Sequence, residues 1–164
     1  MNIFATDYNP VQCALWLDDK RVVKMCLETA QMLSTGVHVH GGDTSMIYKP
    51  THANHPSNVW ARQTRGNYEW LCKHGLALCQ VYKAVYLKEH KCLPIINRCL
   101  KLITCIPKGE LTEFANCAAN KDYGLSYKHY SSVTLAYKEY LGQRWTMDTR
   151  KPTWFGRDQP NWKK

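Results

Sequence analysis

A helix-forming stretch near the start of the chain carries ionisable and amide side chains at helical spacing. Segment 18–33 reads DDKRVVKMCLETAQML. At about 100° per residue, Arg21, Lys24, Glu28 and Gln31 fall on one narrow stripe. A carboxylate, two cations and an amide within reach of one another could bind an anionic sugar-phosphate. The alternative is a solvated face whose charges pair with one another, the commoner outcome for a charge stripe.

The opposite side of this helix is apolar and is predicted to face the core. Its members are Leu15, Val22, Val23, Cys26, Ala30 and Leu33. Asp19 falls among them, and a buried carboxylate needs a partner. We therefore interpret Asp19 as a structural anchor for Arg21, Lys20 or a loop amide, rather than as a catalytic group.

The amino terminus supplies a second reactive group. Terminal amines titrate near pH ~8 and lysines near ~10.4, so an α-amine is the better nucleophile at neutral pH. If it is buried beside the stripe, the amine of Met1 or Asn2 could attack C1′ of a deoxyribose and form an imine. Glu28 could then stabilise the sugar cation and move protons. Lys24, on the same stripe, is the alternative nucleophile.

The segment 48–60, YKPTHANHPSNVW, marks the start of the second helix. The free amides and the dipole at a helix start favour a phosphate. His55 and Asn54 could therefore bind a sugar or phosphate oxygen. Alternatively, they only cap the helix.

The cysteines and histidines do not form the spacings of a metal site. The histidine pairs 38/40 and 52/55 lack a matching cysteine pair, so we predict no metal and no cofactor. Without a C-x-x-C pair or a recognisable signal peptide, the thiols indicate reduced core residues of a cytoplasmic protein. The cysteines are at positions 13, 26, 72, 79, 92, 99, 105 and 117.

The net charge of +9 and the pI near 9.2 favour a polyanionic partner, with nucleic acid first. Simple solubility charge is the alternative. From Lys121 onward, nine Lys or Arg stand against four Asp or Glu, interleaved with aromatics. The aromatic residues are Trp145, Trp154, Phe155 and Trp162. This composition suits phosphate contact and base stacking. No run of 18 apolar residues is present, so we expect no membrane span, and nothing indicates an obligate protein partner.

The pattern predicts an all-α fold, with one compact domain over 1–164 and no strand. A long loop, 37–56, separates the first two helices, and the tail 143–164 is basic and aromatic. Gly66 is expected to bend or split the second helical region. The predicted helical segments are 11–33, 57–90, 91–103 and 131–141.

Three motifs together resemble one known family. They are L-D-D-K-R-V-V-K-M-C-L-E-T-A-Q, then N-H-P-S-N-V-W, then K-P-T-W-F. They are similar to the pyrimidine-dimer DNA glycosylase/AP lyase family, the phage endonuclease V type, and most similar to uncharacterised phage and bacterial relatives of it. The resemblance extends from Met1 to about Trp154 and implies an all-α fold and damaged DNA as substrate.

The resemblance also implies roles for individual residues. Glu28 matches the catalytic glutamate, and Arg21 matches a basic residue of the cleft. Gln31 stands where the family has an arginine that holds phosphate, and Leu27 replaces another family arginine. Lys151, Trp154 and Phe155 resemble the aromatic, DNA-contacting carboxyl terminus of the family. The family's nucleophile is the amine of residue 2, exposed when Met1 is removed ahead of a small side chain. The side chain of Asn2 is too large for efficient removal of Met1. Either the amine of Met1 therefore serves as the nucleophile, or the imine chemistry is absent.

Three hypotheses follow. The first is a repair glycosylase that extrudes a nucleotide, cleaves its N-glycosidic bond through an imine and nicks the strand by β-elimination. The second is an enzyme that processes a nucleotide or modified base on the same scaffold without an imine. The third is a non-catalytic nucleic-acid-binding protein, whose binding would be salt-sensitive.

Overall fold

Capping side chains decide where the first two helices begin. The side chain of Asn9 accepts the amides of Val11 and Gln12, and helix α1 runs over Pro10–Trp16. Asp18 then caps a second helix, α2, over Asp19–Val39. The prediction of one helix over 11–33 is therefore wrong in its continuity. The chain is extended at Leu17 because the Asp18 carboxylate accepts an amide of the new helix.

The computed structural model describes residues 1–163, and Lys164, the last residue of the predicted tail, lies outside them. The all-α prediction is confirmed for this part of the chain. Its remaining elements are helices α3 (Pro56–Gln63), α4 (Arg65–Tyr86), α5 (Leu93–Lys101) and α6 (Val133–Met147), 3₁₀ turns at Ile103–Cys105 and Lys121–Tyr123, and an unpredicted two-stranded antiparallel pair, β1 (Ala119–Asn120) with β2 (Leu125–Ser126).

The second helical region breaks at Thr64 and not at Gly66. Thr64 is extended, and its side chain accepts the amide of Asn67 to cap α4. Gly66 serves a different purpose: a Cβ there would lie 2.4 Å from the backbone nitrogen of Leu111. The glycine thus permits a loop to pass against the first turn of α4.

Helices α2 and α4 pack along each other through the centre of the core. The predicted core face of α2 is confirmed at Val22, Cys26, Ala30 and Leu33, which are all fully buried. Leu15 is 38% exposed, because the break after α1 separates it from the α2 register. Val23 is also exposed, at the edge of the buried face. All eight thiols are free, as predicted.

The tail docks on the break between α1 and α2. Asp19 is buried there, and its carboxylate pairs with Arg157 at 2.6 Å and accepts the Thr153 hydroxyl at 2.7 Å. It also accepts the backbone amide of Phe155. Asp19 is thus an anchor, as predicted, but its charged partner is Arg157 and not Arg21 or Lys20.

No helix within residues 1–163 combines the length and the apolar character needed to cross a membrane.

Candidate active site

The amino terminus lies against Glu28. The amine of Met1 is 3.9 Å from Glu28 Oε1, and the backbone N–H of Asn2 donates to Glu28 Oε2 at 2.8 Å. The side chain of Met1 is 2% exposed and that of Glu28 is 9% exposed. Burial of a carboxylate is costly unless charges and donors compensate it. The terminal amine and the Asn2 amide provide that compensation.

One residue of the N-H-P-S-N-V-W motif contacts the side chain of Met1 and is itself held by the preceding loop. Asn58, buried on α3, has its Nδ2 3.7 Å from the Met1 sulfur. The same Nδ2 donates to the carbonyl oxygen of Thr51 at 2.9 Å. The start of α3 thus forms one wall around the terminal residue.

Lys24 joins Glu28 from the solvent side. Its Nζ is 3.2 Å from Glu28 Oε1, one helical turn away, and its side chain is 72% exposed. The sequence prediction that Lys24 and Glu28 share a face is therefore confirmed. Gln31 lies on the next turn of α2 and is half-buried.

Arg21 does not join this cluster. Its Nη1 contacts Asp18 at 3.0 Å and Asp148 at 2.8 Å, both with largely buried carboxylates. Burial opposes the charged guanidinium, but the two carboxylates outweigh it and raise the pKa of Arg21. The stripe is therefore divided between an ion-pair network at Arg21 and the terminal site at Glu28.

His55 caps α3 and lies close to the terminal amine. Its Nδ1 accepts the amide of Ser57 at 3.2 Å, so the neutral ring carries its proton on Nε2. Burial lowers the pKa of His55, and repulsion by the Met1 ammonium and by His52 lowers it further. A neutral ring with an N–H available can donate to a phosphate or sugar oxygen. Asn54, beside it, is exposed and does not supply the cap.

Two cavities border the terminal site, and cations line both. The first, of about 280 Å³, is lined by Phe4, Lys20, Arg21, Lys24, Met25, Asn120, Tyr140, Arg144 and Asp148. The second cavity, of about 260 Å³, is lined by His55, Pro56, Asn116, Cys117, Ala119, Lys121 and Lys128. Asn2 contacts a residue of each cavity, because its Oδ1 accepts the backbone N–H of Phe4 at 3.3 Å and its Nδ2 donates to the carbonyl oxygen of Cys117 at 3.2 Å.

The predicted tail contacts lie elsewhere on the molecule. The tail docks at Asp19, roughly 14 Å along α2 from Glu28 at 1.5 Å per residue. Trp154 is half-buried and donates its indole N–H to the carbonyl oxygen of Trp16. Phe155 is 68% exposed, and Lys151 is exposed beside a separate cavity of about 420 Å³.

Sequence reasoning missed several residues that shape the site. Tyr137 on α6 bonds to Asn2, and Lys128 contributes charge near His55. Both residues lie more than 70 positions beyond His55 in the sequence. Local periodicity carries no signal of such a contact. Asn58 could have been identified from the sequence, because it belongs to the motif at the start of α3.

Within residues 1–163, no group of three or more His, Cys, Asp or Glu side chains converges in a way that could hold a metal ion.

Comparison with known proteins addresses the amino-terminal half. The family model described as pyrimidine dimer DNA glycosylase matches residues 1–92, which is more than half of the chain. The matched part contains Met1, Asn2, Lys24, Glu28 and His55 but not the tail. No curated protein and no solved structure is significantly similar to the chain. The site at Met1 and Glu28 therefore lies inside the matched part, and the chain belongs to the pyrimidine dimer DNA glycosylase family.

Proposed function

We propose that this protein is a glycosylase and AP lyase that acts on damaged DNA, at pyrimidine dimers or abasic sites, through an imine on its N-terminal amine. The observation that carries the proposal is the α-amine of Met1 beside the buried carboxylate of Glu28. An uncharged amine is a nucleophile, and the adjacent carboxylate is suited to hold a developing positive charge. Family membership supports DNA as the substrate.

The reaction begins at C1′ of the damaged nucleotide. The amine nitrogen forms a bond to C1′ as the N-glycosidic bond breaks, and the base leaves with a proton. Glu28 stabilises the cationic sugar, and ring opening yields an iminium between the amine and C1′. On an abasic site the same iminium forms with loss of water. No metal or cofactor is needed for either route.

Strand cleavage follows from the iminium. A proton leaves C2′, the C3′–O bond breaks, and the 3′ phosphate departs with the electron pair. Water then hydrolyses the imine and releases the amine. Glu28 is within reach of the terminal amine and is the candidate to accept and return these protons.

The surrounding cations suit a polyanionic substrate. Lys24 and Lys20 border the first cavity, and Lys121 and Lys128 border the second. A neutral His55 can donate to a phosphate or sugar oxygen between them. Arg21, Gln31, Asn54 and the tail residues Lys151, Trp154 and Phe155 remain proposed DNA contacts. A distorted duplex would be bound across the terminal site, with the target nucleotide extruded.

Borohydride trapping tests the chemistry directly. The protein is incubated with duplexes that carry a thymine dimer, an abasic site or no lesion, and any adduct is mapped by mass. We expect an adduct at the amine of Met1, or of Asn2 if Met1 has been removed, on both damaged substrates. An adduct at Lys24 would identify Lys24, and not the terminal amine, as the nucleophile.

A matched pair of variants tests the carboxylate. Glu28→Gln should lower adduct formation at least about a hundredfold, the range of a lost proton-transfer group. Glu69→Gln is the control, because Glu69 also pairs with a lysine one turn away on a helix but is half exposed. Full activity in Glu28→Gln would contradict the proposal. Salt-sensitive binding without any adduct would favour a non-catalytic nucleic-acid-binding protein instead.

A further inference from the structure

The side chain of Asn2 is held by groups from distant parts of the chain. Its Oδ1 accepts the Tyr137 hydroxyl at 2.8 Å, and its Nδ2 donates to the carbonyl oxygen of Cys117 at 3.2 Å. The same Oδ1 accepts the backbone amide of Ile3 at 2.8 Å. Both ends of the amide are therefore engaged, and the side chain has one orientation.

Tyr137 is itself buried and hydrogen-bonded. Tyr137 is 1% exposed on α6, and its hydroxyl accepts the backbone N–H of Cys117 at 3.1 Å. The carbonyl oxygen of Ala115, at 3.1 Å, is a second acceptor for its one proton, and Asn2 Oδ1 at 2.8 Å is the nearer of the two. Burial raises the pKa of Tyr137 well above its ordinary value, so the hydroxyl stays protonated and remains a donor. The Phe4 ring packs edge-on against it, with centroids 6.1 Å apart. Asn2 is thus anchored to a rigid part of the core.

The main chain of the same residue faces the reaction centre. The Asn2 N–H donates to Glu28 Oε2 at 2.8 Å, and the Met1 amine belongs to the residue directly before it. Asn2 is thus held through both its side chain and its backbone N–H. This restricts the position of the Met1 amine, because Met1 is bonded directly to Asn2. Lys24 also pairs with Glu28, but its side chain is 72% exposed.

We infer that Asn2 is a positioning residue, whose side chain, clamped by Tyr137 and the Cys117 carbonyl, keeps the terminal amine oriented beside Glu28. This inference rests on the proposed imine chemistry. It gives a reason for a polar side chain at position 2, where the family resemblance implies a small one. Misplacement of a nucleophile by about 1 Å can cost about a hundredfold in rate.

Tyr137→Phe tests the clamp without altering the terminus itself. It removes the hydroxyl that donates to Asn2. Tyr68→Phe is the matched control, because Tyr68 is fully buried and donates to the Leu33 carbonyl oxygen at 3.0 Å. We expect Tyr137→Phe to lower the single-turnover rate of adduct formation at saturating DNA by about tenfold or more. The Kd for abasic DNA should stay within about twofold, and the control should match the wild type in both.

A measurement on the free protein separates the clamp from the chemistry. Reductive methylation by formaldehyde and cyanoborohydride, followed by mass, reports how accessible the Met1 amine is. Release of Asn2 should speed this methylation several-fold in Tyr137→Phe, and in Asn2→Leu with Met1 verified by mass, but not in Tyr68→Phe. Opposite changes in methylation and adduct formation support the clamp.

Two other results would each overturn one of the two proposals. Tyr137→Phe indistinguishable from Tyr68→Phe in both assays, while the wild type forms adducts, would refute the clamp alone. Absence of any wild-type adduct would refute the proposed function, and with it the catalytic purpose of Asn2. Methylation of the free proteins would then still show whether Tyr137 restrains the terminus.

Discussion

Acidification should destabilise this protein through one buried imidazole, that of His74. The residue is 1% exposed, and its ring stacks on Trp70 with centroids 5.1 Å apart. Its Nδ1 lies 3.0 Å from the carbonyl oxygen of Pro10, which only accepts, so Nδ1 carries the proton. Nε2 is buried without a hydrogen-bond partner among the described residues. Charging the ring would place a second N–H there, and burial accordingly lowers the pKa of His74 from 6.5 to about 4.

The sign of the effect follows from proton binding. Between pH 6.5 and about 4, the unfolded chain holds a proton at this ring that the folded chain lacks. The free energy of unfolding therefore falls as the pH is lowered through this range and is unaffected by His74 above it. The full loss is about 3 kcal/mol, at 1.36 kcal/mol per pH unit, and about 2 kcal/mol of it is reached at pH ~5.

Urea unfolding at pH ~7 and pH ~5 provides the assay. His74→Phe keeps an aromatic ring against Trp70 and removes the titration. It also loses the hydrogen bond to Pro10, but this loss is the same at both pH values and cancels. The wild type should lose about 2 kcal/mol more than the variant between the two conditions. Equal losses in both proteins would refute the reasoning, because other groups would then carry the whole pH dependence.

Three further predictions concern the scaffold. Asp19→Asn leaves Arg157 buried without its carboxylate, so the free energy of unfolding should fall by about 3 kcal/mol and the tail should become sensitive to trypsin; a protease-resistant tail would contradict the anchor. Gly66→Ala forces a Cβ to within 2.4 Å of a loop nitrogen and should lower stability by about 1–3 kcal/mol, measured as a lower Tm; an unchanged Tm would contradict the close approach. Iodoacetamide should label only the half-buried Cys105 and Cys117 before unfolding, with the other six thiols reacting in urea; mass mapping of extra native adducts would contradict their burial.

Local signals in the sequence predicted much of the scaffold. Asn9 with Pro10 marks the start of α1, and the apolar spacing identifies the buried face of α2. The shared face of Lys24 and Glu28 follows from the same spacing. These features depend on residues within one or two helical turns, so periodicity and capping chemistry are sufficient to find them. The break at Leu17 was missed because a helical pattern continues through it.

Long-range partners were beyond that reasoning. The helical spacing places Arg21 on the same stripe as Glu28, but its guanidinium binds Asp148, which is 127 residues away in sequence. Asp19 needed a partner, and only the docked tail reveals that it is Arg157. A side chain with several possible partners takes the one that packing brings close, and sequence spacing does not encode that distance.

The site combines both kinds of information. The sequence by itself determined an all-α, basic chain with a carboxylate and a lysine on one helical face and a motif at the start of a second helix. Only the tertiary structure decided that the amine of Met1 is beside Glu28 and that Tyr137 holds Asn2. The physical reason is that an amino-terminal segment has no periodicity of its own, and its position depends on the buried hydrogen bonds that the folded core offers it.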